Sequence, residues 1–283
     1  MTPTWTHATL TSDRISLHYV TQGEGPLMLF LHGFPEFWYS WRHQIPEFAQ
    51  DHKVVALDLR GYNDSDKPTD PAAYRMSELV QDVKDVITGL GYDQCVLVGH
   101  DWGGGIAWSF AETFPAMVSQ LIVLNIPHPV RFFEGLRGPQ QLLRSAYIFL
   151  FQLPVLPELL FQLGDYQVFD LTFRKTTVNK AAFTDADVEA YKNAFAKPGV
   201  LTAALNYYRN IFQAPAVRSP SVLEVPTLLI WGEDDLYLGK ELTYDTEKYV
   251  RDFQVQYIPH CSHWVQQEQP ELVNQYIRAF LSR

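Results

Sequence analysis

The stretch Val96-Leu97-Val98-Gly99-His100-Asp101-Trp102-Gly103-Gly104-Gly105 constrains this chain more than any other. Three apolar, mostly β-branched residues read as the end of a buried strand, and Ile106, Ala107, Phe110 and Ala111 follow with helical spacing. A strand, a sharp turn and a helix are expected here, with an acid at the tip of the turn. Glycines at 99, 103 and 104 make steric sense, because such a turn crowds the backbone. Asp101 could simply cap the helix, as Asp often does. A phosphate-cradling glycine loop is the other ordinary reading, but the spacing fits neither G-x-G-x-x-G nor G-x4-G-K-[ST]. The rest of the chain decides.

Arg14 to Val20 alternates like an early strand, and Leu27 to Leu31 is a wholly apolar run suited to a buried one. That run ends in His32-Gly33-Phe34-Pro35-Glu36. Lys53 to Leu59 reads as a further strand, and Ser77 as the cap of a helix with Leu79, Val80, Val83, Val86, Ile87 and Leu90 on one face, ended by Gly89 and Gly91. The strand and helix around Asp101 follow, stopped at Phe114-Pro115, and then a strand through Leu121 to Leu124. This alternation implies a parallel sheet with helices on both faces. From about 130 to 219 no strand pattern is visible. Helical patterns there are broken by Pro154, Pro157, Gly164 and Pro198-Gly199. Thr184 and Asp187 make a capping box, and Leu201, Leu205, Tyr208 and Phe212 form a helical stripe. Strand rhythm returns at Thr227 to Trp231 and Gln254 to Ile258, and a helix closes the chain around Leu272 to Leu281. The expected organisation is an α/β core in two parts, 1–129 and 220–283, with a helical lid, 130–219, over the carboxyl ends of the strands, where ligands bind in open α/β sheets.

Composition narrows the partners. With 22 basic and 32 acidic residues the net charge is −10, which disfavours nucleic acid and anionic membrane surfaces. No stretch approaches the roughly 20 apolar residues of a membrane span. Met1 to Leu10 lacks the layout of a signal peptide. Cys95 and Cys261 are too few for a disulfide framework and have no metal spacing, so free thiols in a reducing cytoplasm are expected. Nothing in the pattern speaks to oligomeric state.

The small-x-acid-x-small-small pattern at 99–104 resembles the nucleophile elbow of α/β-hydrolases, where a serine usually stands at the Asp101 position. In that fold the chain order continues with an acid and then a histidine. Here Trp231-Gly232-Glu233-Asp234-Asp235 follows one strand and Cys261-Ser262-His263-Trp264 follows the last. Asp235 is the choice for the acid that holds the histidine tautomer, with Asp234 as the fallback, and His263 is the base. The backbone N–H groups of Phe34 and Trp102 are the candidate oxyanion-hole donors.

Taken together, His32-Gly33-Phe34-Pro35-Glu36, Gly99-His100-Asp101-Trp102-Gly103-Gly104, Asn206-Tyr207-Tyr208-Arg209-Asn210, Gly232-Glu233-Asp234-Asp235 and His263-Trp264 make the chain similar to epoxide hydrolases of the α/β-hydrolase fold over nearly its whole length. The resemblance implies a mostly parallel sheet flanked by helices with a helical cap. It also implies two lid tyrosines that bind the epoxide oxygen, matched here by Tyr208 and, less closely, Tyr147. Tyr147, Tyr208, Trp102 and Phe34 are the implied substrate contacts. Asn63 stands where the family commonly has glycine, and Asn tolerates the positive φ such a turn needs.

The implied chemistry has Asp101 attacking an epoxide carbon while the tyrosines protonate the oxygen. Water activated by His263 then hydrolyses the resulting ester. No metal or organic cofactor is required, and the partners are a small apolar epoxide and water. The aromatic lid residues Tyr147, Phe149, Phe151, Phe161, Phe169 and Phe173 suggest the apolar character. Haloalkane dehalogenases share the Asp-Trp elbow, but they resemble His-Gly-Asn-Pro where this chain has Phe34, and a departing halide needs no proton. Haloacetate dehalogenases carry arginine at the position of Trp102. A non-enzymatic receptor or scaffold on the same fold is the reading from another class, and such proteins often lose a triad member, whereas Asp101, Asp235 and His263 are all present.

Overall fold

The computed structural model describes residues 5–213 and 222–283. Eight strands form one sheet: β1 (Thr6–Thr11), β2 (Ser16–Gln22), β3 (Leu27–Leu31), β4 (Lys53–Leu57), β5 (Cys95–His100), β6 (Val118–Leu124), β7 (Thr227–Gly232) and β8 (Phe253–Ile258). Their spatial order is β1-β2-β4-β3-β5-β6-β7-β8. The β1–β2 and β2–β4 pairs are antiparallel, and every pairing from β4 to β8 is parallel. From β3 the chain steps outward to β4 and then returns to β5 on the other side. The carboxyl ends of β3 and β5 therefore bracket the topological switch point where ligands bind in such sheets. The turn after β3 carries Phe34, and the turn after β5 carries Asp101.

All residues of β3 and β5 are buried, which explains their unbroken apolar runs in place of alternation. Each buried Leu or Val side chain contributes roughly 1.5–3 kcal/mol, so this central pair anchors the two turns in the buried middle of the sheet.

Among the described residues between β6 and β7 the chain forms no sheet strand. It runs through helices Pro129–Gly135, Pro139–Arg144, Ala146–Phe151, Leu156–Asp170, Asp185–Ala196 and Val200–Asn210. The boundary expected at 219/220 lies outside the described residues. The Thr184–Asp187 capping box forms as expected.

Several local expectations need correction. The N-terminal segment contributes β1, an edge strand that went unread because only Leu10 and Ala8 interrupt its polar surface. Ser77 lies inside the helix Met76–Gly89, whose N-cap is Arg75. Pro157 opens the helix Leu156–Asp170 instead of breaking it, since the first turn needs no proline N–H. The break in that helix is real and runs over Leu163 to Tyr166 around Gly164. Phe212 leaves the stripe on Val200–Asn210: it sits on a short 3-10 turn, half exposed, and stacks on Phe149.

Candidate active site

Asp101 sits at the tip of the turn between β5 and helix Trp102–Thr113, with φ 49° and ψ −121°. A non-glycine residue in this region costs of order 1–3 kcal/mol. The neighbouring backbone holds it there: Asp101 N–H donates to the Leu124 carbonyl (3.2 Å), and Gly105 N–H donates to the Asp101 carbonyl (2.9 Å). Its side chain makes no capping hydrogen bond to the helix, so the simple capping reading does not describe it. Two glycines make room for the arrangement. A Cβ on Gly103 would stand 2.5 Å from the His32 carbonyl oxygen, and one on Gly33 would stand 2.5 Å from Asp101 Cβ.

The carboxylate has two differently employed oxygens. Oδ1 accepts the Phe34 N–H at 2.8 Å. Oδ2 lies 3.6 Å from His263 Nε2. On its far side, His263 Nδ1 donates to Asp235 Oδ2 at 2.7 Å. Asp235 is buried and itself held by the Tyr237 N–H (2.7 Å), the Leu238 N–H (3.0 Å) and Asn125 Nδ2 (2.7 Å). The fallback acid, Asp234, is exposed and its carboxylate points at His260, so it plays no part in this chain of contacts.

Electrostatics follow from this packing. Burial alone would depress the His263 imidazole, but the Asp235 and Asp101 carboxylates outweigh it and hold its pKa up to about 10. Burial would likewise push the Asp101 carboxyl up. The nearby His263 imidazole, 3.6 Å from Oδ2, with His100 and the Phe34 N–H, overcomes that and keeps it below the usual value. Asp101 therefore rests as a carboxylate against an imidazolium.

A cavity of about 320 Å³ opens above the carboxylate. Asp101 and His263 lie at its base with Phe34, Pro35, Tyr237 and Trp264, while Tyr147, Phe151, Phe161 and Tyr208 come from the helical segment above. Burial pushes the Tyr147 and Tyr208 phenols well above their usual value, so both remain protonated donors. Their rings meet edge to face, with centroids 5.9 Å apart. Of the other aromatic residues expected to line the cavity, Phe151 and Phe161 do. Phe149 is half exposed on the outside, and Phe169 and Phe173 are buried in the packing behind. Trp102 is also not on this cavity wall. Its indole packs edge to face against Tyr207 and Tyr208, so its place at the site is through its backbone at the turn.

Two groups at the site went unread from the sequence. Tyr237 lines the cavity and meets the His263 ring edge to face at 5.3 Å. Its position two residues after Asp235 was the available signal. Glu36, in sequence merely the last residue of the His32–Glu36 motif, is fully buried. Its Oε2 accepts the Gly33 N–H (3.1 Å) and His100 Nδ1 (2.7 Å), and its Oε1 accepts Gln266 Nε2 (3.1 Å) and Gln267 Nε2 (2.7 Å). His100 Nε2 in turn meets the His263 carbonyl at 2.9 Å. One carboxylate thus ties together the three turns that carry Phe34, Asp101 and His263. Asn63 has φ 42°, the positive value that its motif position demands, and donates to Asp58 at 2.7 Å.

Comparison with known proteins gives a consistent picture. The alpha/beta hydrolase fold family matches residues 26–270. Epoxide hydrolase 4 of Mus musculus is 46% identical over 275 residues, covering 94% of this chain and 76% of that protein. Epoxide hydrolase 3 of Xenopus tropicalis is 48% identical over 276 residues, covering 94% of this chain and 75% of that one. The crystal structure of a Bacillus megaterium epoxide hydrolase in complex with an inhibitor superimposes with a TM-score of 0.92 at 38% identity, covering 98% of this chain and all of that one.

Proposed function

The chain belongs to the epoxide hydrolases of the α/β-hydrolase fold, and from that premise we propose the route by which it turns an apolar epoxide and water into a vicinal diol. Asp101 Oδ2 is the attacking atom, because Oδ1 is already engaged by the Phe34 N–H. As Oδ2 bonds to one epoxide carbon, the C–O bond breaks and Tyr147 or Tyr208 gives its phenolic proton to the departing oxygen. A hydroxyalkyl ester of Asp101 and a phenolate result. Esterification removes one of the two negative charges that hold the His263 proton. That proton passes to the phenolate, restoring the tyrosine and leaving a neutral imidazole.

The neutral His263 then takes a proton from water, and the hydroxide attacks the carbonyl carbon of the ester. Oδ1 becomes the oxyanion, facing the Phe34 N–H with the Trp102 N–H as the proposed second donor. Collapse expels the diol oxygen, which takes the proton back from His263. The new carboxylic acid returns its own proton to the imidazole. A serine at 101 would form an ether, which this base could not cleave. The whole sequence runs on side chains and water, and Phe34 offers no side-chain N–H for a halide.

In this reading residues 130–219 act as a cap that supplies the tyrosines, and 1–129 with 220–283 form the core. Among the described residues no helix is long and apolar enough to cross a membrane. The two free, buried cysteines support a reducing, cytoplasmic setting.

The observation that carries the proposal is the divided carboxylate of Asp101, one oxygen on a backbone donor and the other 3.6 Å from a histidine held by a second acid. His263→Gln tests it. Ring opening should proceed and the ester accumulate, so that intact-protein mass rises by one substrate. Absence of that adduct under conditions where the unmodified enzyme turns over would contradict the route.

A further inference from the structure

Glu268 is a buried carboxylate with no part in the route above, and its two oxygens serve two different regions. Oε1 accepts the Ser262 N–H at 3.0 Å and also the Ser262 hydroxyl. Oε2 accepts the N–H groups of Val178 (2.8 Å) and Asn179 (2.9 Å) from the helical segment above the sheet. The Glu268 carbonyl takes a further bond from Asn179 Nδ2 at 3.3 Å. These donors are all neutral N–H or O–H groups, so the carboxylate is held by directed hydrogen bonds.

Ser262 and Trp264 flank His263, and both are tied to the same stretch of the cap. The Trp264 indole N–H donates to Thr176 Oγ1 at 3.3 Å, and the Trp264 ring meets Phe173 edge to face at 5.0 Å. Thr172, one turn earlier, lines the substrate cavity beside Trp264 and His263. The base loop is therefore stapled to cap residues 172–179 on either side of the catalytic histidine.

We propose that Glu268 is a positioning residue that couples the seating of the cap to the placement of His263, so that ester hydrolysis, and not ring opening, depends on it. The inference rests on the roles of Asp101 and His263 proposed above. Ring opening needs Asp101 and the tyrosines, which Glu268 does not touch. Hydrolysis needs a water held between His263 and the ester, and a base displaced by about 1 Å loses on the order of 10²-fold.

A carboxylate can accept from all four donors at once, whereas an amide has a single accepting oxygen. In Glu268→Gln the amide nitrogen must face either Ser262 or the Val178–Asn179 pair, and one end of the staple opens. Single-turnover quenched-flow with intact-protein mass detection, using a styrene-type epoxide, separates the two rates. Expected is ring opening within about threefold of the unmodified enzyme and ester hydrolysis slowed roughly 10–100-fold, so that ester accumulates and KM falls with kcat. Asn179→Ala, an exposed change confined to the cap, should shift the same ratio in the same direction by a smaller factor, and it serves if Glu268→Gln does not fold. The inference is overturned if the folded variants hydrolyse the ester at the normal rate, or if ring opening slows in equal proportion. If the unmodified enzyme forms no ester at all, the failure lies in the covalent route itself.

Discussion

The base and the roof of the substrate cavity are built on opposite plans. At the base, Asp101, His263 and Asp235 are fixed by hydrogen bonds of 2.7–3.0 Å, local ones from the Tyr237 and Leu238 N–H groups and distant ones from Phe34, Asn125 and His263. In the roof, Tyr147 and Tyr208 are held mainly by ring edges: Tyr208 meets Phe34 at 5.2 Å and Phe151 at 5.0 Å, and Tyr147 meets Phe151 at 5.4 Å. Hydrogen bonds are directional and costly to leave unmade, whereas apolar packing tolerates exchange of shape. The neighbouring helices Pro139–Arg144 and Leu156–Asp170 also leave Leu143, Leu159 and Leu163 largely exposed. Groups at the base are thus placed by directed bonds, and the two roof phenols and the walls around them by apolar packing.

Asp235→Asn presses hardest on this contrast. Asp235 Oδ1 and Oδ2 both accept donors, so an amide leaves one donor facing another, and the leading charge that holds the His263 proton disappears. Loss of about 10⁴-fold in kcat is expected, as for the equivalent change in a serine triad, with the ester trapped. A loss below tenfold, by steady-state assay, would break the distinction.

Tyr147→Phe and Tyr208→Phe keep the rings and remove only the proton donors. Each should lower the ring-opening rate by about 10²-fold, within the 10²–10⁴ range of general-acid assistance, and the pair should approach abolition. Stopped-flow ring opening that is normal in the double variant would remove the tyrosines from the mechanism.

Phe161→Leu alters the roof without touching hydrogen bonds. Loss of apolar contact in a pocket is worth about 1–3 kcal/mol between competing substrates, so KM and enantiomer preference should move while kcat for a small epoxide stays within about tenfold. A collapse of kcat for all substrates would mean that Phe161 positions the reacting groups and does more than shape the pocket.

The same contrast explains what could be read from residue order. Elements with their own periodicity were legible: the runs of β3 and β5, the Thr184 capping box and the elbow around Asp101. So was the order Asp101, Asp235, His263, because each stands at the end of a strand. Contacts that bind distant segments were not. Glu36 reaches Gln267 across 231 positions, and Glu268 reaches Asn179 across 89. No local pattern announces such a partner. Phe169 and Phe173 look the same in sequence as Phe161, yet only Phe161 faces the cavity, since the turn of each helix against its neighbours decides that. The sequence favoured Asp235 over Asp234 without excluding the latter, and burial separates them.

The central claim is that the second oxygen of the diol comes from Asp101 and is replaced in the protein by an oxygen from water. A single turnover of the unmodified enzyme in ¹⁸O-water, with enzyme in excess over epoxide, addresses it directly. The account predicts an unlabelled diol and one ¹⁸O in the peptide that contains Asp101. Label in the diol from that first turnover, with none in the peptide, would mean that water attacks the epoxide itself and would contradict the covalent route.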